Sequence, residues 1–248
     1  MKTLLKNCLH GSKVYLLEDF DPNEGTKTII KSSSCAEGIA SLYRELEGIN
    51  WYNHYAPQPI KVDKAHETAF YLSLKYEFIE GKTHSCLKGY DPNKVAIASI
   101  LDHYCSIWSQ EPLEGSNHIL HGDLSLGNVI FTSKGLVIID WEYFNKKSAP
   151  KGFDGLYLLF ESLWYECENK TVNFESLKHA SQMIQKLNNN RCLGPAFLKN
   201  PLRETLNFIQ SNPHLWNSQL LSEKILPILF FNEEYIETID KFLNAQTQ

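Results

Sequence analysis

ILHGDLSLGNVIFTSKGLVIIDWEY, residues 119–143, sets three polar groups in a fixed order: an H-x-D ending on Asp123, then Asn128, then Asp140 closing an apolar run. Val129 to Thr132 and Leu136 to Ile139 are β-rich runs joined by Ser133-Lys134-Gly135. A short loop ending in Gly suits a tight hairpin, because Gly accepts a positive φ where other residues strain. Such a hairpin places Asn128 at the entrance of one strand and Asp140 at the exit of the other, so their side chains can converge. An amide oxygen and a carboxylate are hard donors suited to Mg²⁺, an ion that keeps water and substrate phosphates among its ligands. Asp123, on the preceding loop, is then placed to accept or orient the proton of an attacking hydroxyl. Phosphoryl transfer asks the protein for positioning and neutralised charge rather than covalent chemistry. Three elements in this order seldom coincide by chance, although a lone Asp or Asn beside Gly usually marks a turn.

The segment resembles the catalytic and metal-binding loops of the kinase-like phosphotransferases that include aminoglycoside phosphotransferases and choline/ethanolamine kinases. In that group H-G-D or H-N-D stands where protein kinases have H-R-D, and I-D-W/F-E stands for D-F-G. His121-Gly122-Asp123, Asn128 and Asp140-Trp141-Glu142 match residue by residue. The resemblance implies Asp123 as catalytic base, Asn128 and Asp140 as Mg²⁺ ligands, His121 as a support for the loop, and ATP as the phosphoryl donor. It also implies an α+β, two-lobed protein-kinase-like fold, with a small antiparallel-sheet N-lobe and a larger, mainly helical C-lobe.

Upstream, Leu9 to Lys13 followed by Val14 to Leu17 is compatible with a β-turn-β whose backbone N–H groups meet phosphate oxygens. By resemblance, Gly11 and Ser12 are candidate nucleotide contacts. The run Thr26 to Lys31 reads as a strand, and Lys31 corresponds to the lysine that holds the α/β-phosphates in similar enzymes. From Ala36 to Asn50, Ile39, Leu42, Tyr43, Leu46 and Ile49 form a helical stripe. Glu45 and Glu47 flank it, and periodicity does not choose between them as partner for Lys31. The Arg44-Glu45 pair resembles the R-E of the family's helix, which selects Glu45. Phe70 to Ile79 reads as a strand leading to a turn at Gly81. By resemblance, the backbones of Glu77 and Ile79 hold the adenine edge. Residues 1–80 thus read as a nucleotide-binding lobe and 81–248 as a catalytic and acceptor-binding lobe.

Asp91-Pro92 opens a helix, since Asp caps and Pro fits the first turn. Helical patterns return at Asp154 to Glu168, Glu175 to Leu187 and Glu233 to Leu243. Choline/ethanolamine kinases carry a similar run beyond the metal Asp, in which Asp154 would brace the catalytic loop. Its plain role is a helix cap. Glu161 with Tyr157, Phe160, Trp164 and Tyr165 would suit a cationic acceptor if they lined a pocket, whereas an aromatic stripe at helical spacing is more often core.

The chain has 248 residues, 43% hydrophobic and 21% charged, which is an ordinary soluble composition. A net charge of −5 argues against a nucleic-acid partner and favours a cationic or neutral substrate. The six cysteines are scattered without metal spacing and read as free thiols of a reducing compartment. No stretch reaches the roughly 18 apolar residues of a membrane span, so a cytoplasmic enzyme is expected. The expected reaction is transfer of the γ-phosphoryl group of Mg²⁺–ATP to a hydroxyl of a small molecule: choline or ethanolamine, an aminoglycoside, or a similar amino alcohol. Lys146, Lys147 and Lys151 open a second option, a glycan or lipopolysaccharide sugar kinase. A third, of another class, is a nucleotide-binding pseudokinase or interaction module. A protein kinase is disfavoured, since no A-P-E segment follows Asp140.

Overall fold

The computed structural model describes residues 2–8, 14–21, 25–83, 92–110, 117–166, 174–216, 221 and 232–246. The chain is α+β, with an antiparallel sheet in its N-terminal part and helices in its C-terminal part, as a kinase-like fold requires. It divides into two compact units, 1–82 with 130–144, and 83–129 with 145–248. The 130–144 hairpin therefore packs with the N-terminal residues, although it lies in the later part of the sequence.

The first unit is built on a five-stranded antiparallel sheet in the order β1-β2-β3-β5-β4. Its strands are β1 (Lys2–Cys8), β2 (Val14–Asp21), β3 (Thr26–Ser33), β4 (Val62–Thr68) and β5 (Tyr71–Glu77). Central β3 pairs with β2 and β5, and Lys31 lies between Leu16 and Leu74 in register. Helix α1 (Ala36–Tyr55) packs on β3 and β5. Its buried stripe runs through Leu42, Glu45, Gly48, Ile49 and Tyr52, at helical spacing. The helix stops at Ala56, which is extended (φ −76, ψ 137) because the following Pro57 disfavours the helical region. Strands β7 (Val129–Thr132) and β8 (Gly135–Ile138) form the expected hairpin. The turn is tighter than the sequence suggests: only Ser133 and Lys134 lie in it, while Gly135 opens β8 at φ +133. Val137, Ile138, Trp141 and Phe144 then join Leu42, Ile49 and Tyr52 in the core.

The second unit holds helix α2 (Pro92–Trp108), an antiparallel pair of β6 (Asn117–Leu120) with β9 (Asn145–Pro150), and helices α3 (Phe153–Glu166), α4 (Phe174–Asn189), α5 (Pro201–Ser211) and α6 (Glu233–Gln246). Helix α3 is its centre and packs on α2, α4 and α5. It reads FDGLYLLFESLW and is buried nearly throughout. At Gly155 an added Cβ would lie 3.1–3.2 Å from Tyr104 and Leu187, so the missing side chain lets three helices meet. Tyr157 and Phe160, the aromatics weighed as an acceptor pocket, are 1% and 0% exposed and belong to this core. Cys35, Cys105 and Cys192 are free thiols. Asp91, Gly11 and Ser12 lie outside the described residues.

Candidate active site

In the first unit the site is organised around the Lys31 ammonium. Its Nζ stands 2.6 Å from Glu45 Oε1 and 2.8 Å from Asp140 Oδ1. Of the two glutamates the sequence left open, Glu45 makes the ion pair: it faces inward on α1, whereas Glu47 is exposed. Burial works against the Lys31 charge, but the Asp140 and Glu45 carboxylates more than offset it and hold its pKa well above the usual lysine value. Burial likewise pushes the Glu45 carboxyl up, opposed by the Lys31 charge. The Tyr76 ring lies under the amine, 5.9 Å from Nζ to centroid, an attraction between cation and π-face. Burial, reinforced by Glu45, raises the Tyr76 hydroxyl well above its ordinary value, so it stays neutral.

Asp140 is one of three non-glycine residues with positive φ among those described, at +66. Asp tolerates this left-handed region better than most residues, yet it is still sparsely populated. Strain of this kind concentrates at functional sites where the surroundings enforce it.

Glu77, expected with Ile79 to meet the adenine edge, closes β5. The Glu77 carboxylate pairs with Lys61 at 2.7 Å, and its N–H donates to the Lys61 carbonyl at 3.1 Å. Ile79 is half-buried just beyond β5.

In the second unit the loop after β6 is fixed at almost every peptide. Asp154, in the first turn of α3, accepts the N–H of His121 on Oδ2 at 2.8 Å and of Gly122 on Oδ1 at 3.0 Å. The Asp123 N–H donates to His121 Nδ1 at 3.2 Å, which leaves the proton of that imidazole on Nε2. The Trp216 indole donates to the Gly122 carbonyl at 2.7 Å. Gly122 supplies the φ of +86 on which the loop reverses. Asp123 and Asn128 come together at the end of this loop. The Asn128 amide nitrogen donates to the Asp123 carbonyl and to its Oδ2, both at 2.8 Å. Both partners are acceptors, so the amide can be oriented only one way, with its oxygen directed away from Asp123.

Residues 39–145 match the phosphotransferase enzyme family, APH. The match agrees with the kinase-like superfamily of aminoglycoside phosphotransferases and choline kinases, and points to a phosphotransferase of kinase-like type. It takes in Glu45, His121, Asp123, Asn128 and Asp140, begins after Lys31 and ends before Asp154. No curated protein matches the chain.

Four contributors had no local signal in the sequence. Trp216 is 94 positions from the loop carbonyl it holds. The others are the Tyr76 ring below Lys31, the left-handed backbone at Asp140, and the contact of the Arg44 guanidinium with the Glu142 carbonyl, which the Arg44-Glu45 pair does not signal.

Proposed function

We propose that this protein transfers the γ-phosphoryl group of Mg²⁺–ATP to a hydroxyl of a small molecule, with Asp123 as the base. The observation that carries this reading is the Lys31 ammonium held between Glu45 and Asp140 at 2.6 and 2.8 Å. A half-buried lysine fixed by one inward carboxylate, with a second beside it, is the charge pattern needed to grip phosphate oxygens next to a metal ligand.

The donor chemistry suits a divalent ion. Asn128 offers an amide oxygen whose orientation is fixed by the two bonds on its nitrogen, and Asp140 offers a part-exposed carboxylate. Among the described residues no group of three or more His, Cys, Asp or Glu side chains forms a metal site. By the resemblance, Asn128 and Asp140 would be the protein's share, with the remaining ligands from water and phosphate, as is usual for Mg²⁺. Bound there, the ion would neutralise charge developing on the transferred group.

Lys31 holds the α/β-phosphates, and Glu45 keeps the ammonium aimed when its bond to Asp140 is given up. The Glu77 carbonyl and the Ile79 N–H take the adenine edge; the Glu77 N–H is committed to Lys61. Asn128 pins one oxygen of Asp123, which sets the carboxylate to receive the proton of the acceptor hydroxyl. His121, Asp154 and Trp216 hold the loop.

The acceptor class proposed is an amino alcohol such as choline, ethanolamine or an aminoglycoside, in keeping with the net charge of −5. Labelled ATP with a panel of amino alcohols and glycan sugars tests donor and acceptor together, and transfer to sugars alone would favour the glycan kinase instead. Asp123→Asn is expected to abolish transfer, by a factor of ~10² or more, while leaving nucleotide affinity within about two-fold. Substantial turnover in that variant would remove Asp123 from its role. Nucleotide binding without turnover across the panel would make the chain a binding module.

A further inference from the structure

We infer that Arg44 is a positioning residue, which clamps the turn after Asp140 onto α1 with the help of the bare Cα of Gly48, and so holds the Asp140 carboxylate where Lys31 meets it. The clamp itself stands on geometry; its catalytic consequence rests on the phosphotransferase reading above.

The left-handed backbone of Asp140 (φ +66) needs an external constraint. The turn supplies part of it: the Trp141 indole donates to the Ile138 carbonyl at 2.9 Å, and the Phe144 N–H to the Trp141 carbonyl at 3.0 Å. The rest comes from α1. Arg44 Nε donates to the Glu142 carbonyl at 2.9 Å, and the Ser41 hydroxyl reaches the Glu142 carboxylate at 3.4 Å. One helical turn further on, a Cβ at Gly48 would stand 2.8 Å from that of Trp141 and 2.9 Å from that of Phe144. Only glycine permits this approach, so the turn lies directly against the helix backbone.

Arg44 and Gly48 are four residues apart and share a face of the helix. Glu45, between them, holds the other end of the same object through Lys31 and Asp140 Oδ1. A single helix therefore fixes the Asp140 carboxylate through the lysine and its backbone through the arginine. Arg44 is itself exposed, so its removal takes away the bond to the turn without opening a cavity.

The test uses the full chain with Arg44→Ala and Arg44→Lys. Amide hydrogen exchange is read in nucleotide-free protein, and turnover is read against Mg²⁺ concentration. In the alanine variant, exchange across residues 139–144 is expected to rise about ten-fold, the effect of losing one hydrogen bond, with the amides of β3 and β5 unchanged. The Mg²⁺ concentration for half-maximal turnover should rise by about the same factor, with KM for nucleotide at saturating Mg²⁺ unchanged. Lysine can also donate to the Glu142 carbonyl and should restore part of both effects. Gly48→Ala, read by exchange alone, should loosen the same residues from the other side of the clamp.

Unchanged exchange at 139–144 in the alanine variant, or an increase spread evenly over the sheet, would overturn the clamp. Equal behaviour of the alanine and lysine variants would also overturn it. If the wild-type chain transfers phosphate to no acceptor, the functional reading fails, and the exchange measurements still decide the clamp.

Discussion

At the scale of single residues, Asp154 concentrates the competing forces. It is 2% exposed, in the first turn of α3, and each carboxylate oxygen accepts one backbone N–H of the loop that carries Asp123. Burial pushes its carboxyl up to about 7, against the pull of those two donors. The two protonation states then serve different ends. The ionised form can hold both N–H groups, whereas the protonated form turns one oxygen into a donor facing a donor. Because the folded pKa lies above the unfolded one, the stability this group contributes is fully present below the unfolded value and is lost as pH rises through about 7. Loop order follows the opposite trend and improves as the group ionises. Turnover is therefore expected to fall as pH drops below about 7, while the Asp154 contribution to unfolding free energy grows over the same interval. Asp154→Asn should flatten both dependences, since an amide does not titrate and offers one acceptor for two donors. Denaturant unfolding at a series of pH values, paired with the pH–rate profile, decides it: wild-type slopes persisting in the asparagine variant would mean that another group titrates.

At the scale of elements, the loop that carries Asp123 is held from both sides: by α3 through Asp154, and by the segment after α5 through Trp216. The Trp216 ring packs near Phe153 and Phe208, at 5.9 and 6.2 Å between centroids. Trp216→Phe should keep that cluster while leaving the buried Gly122 carbonyl without its donor. A loss of roughly 1–3 kcal/mol of stability is expected, with kcat falling more than KM, measured by chemical denaturation and steady-state kinetics. Equal kinetics would show that Asp154 and His121 suffice. This second brace is also where the sequence is silent, since nothing near Trp216 marks it as a partner of residues 94 positions earlier. Local signals did better where one element carries its own pattern. The β3 strand, α1 and the β7–β8 hairpin follow from β-branched runs and helical spacing. Strand β4 reads VDKAHET and shows no apolar alternation, because it lies at the sheet edge and is almost wholly exposed. Helix α5 went unread in the sequence, and its first N–H groups are accepted by Asp240 of α6, which no short window contains. Between Glu45 and Glu47, both near the helical stripe, burial decided what periodicity left open.

At the scale of the whole molecule, the Glu45 and Asp140 carboxylates share the Lys31 ammonium, so the balance of charge there depends on what Lys31 binds. Asp140 has Lys31 as its ammonium partner in the structure, and Lys31 is shared with Glu45. Under the proposed function Lys31 would turn to phosphate oxygens, and a divalent ion would supply the positive charge Asp140 then lacks. Nucleotide and metal should accordingly stabilise the folded chain as a pair rather than separately. A ligand that binds only the folded state adds RT ln(1 + [L]/Kd), about 2.7 kcal/mol at 100 times its Kd. For a chain of this size that is a rise in melting temperature of roughly 5–10 °C. ATP with Mg²⁺ should reach this range, and ATP with a chelator should give a clearly smaller rise. Asp140→Asn keeps a residue that tolerates the left-handed backbone and removes the carboxylate charge. It should abolish the Mg²⁺-dependent part of the rise while leaving a metal-independent part from Lys31 and the adenine contacts. Lys31→Met should do the converse and weaken the nucleotide response with or without the ion. An equal rise for wild type and Asp140→Asn in Mg²⁺–ATP would show that the ion is held elsewhere, and would take the metal role away from Asp140.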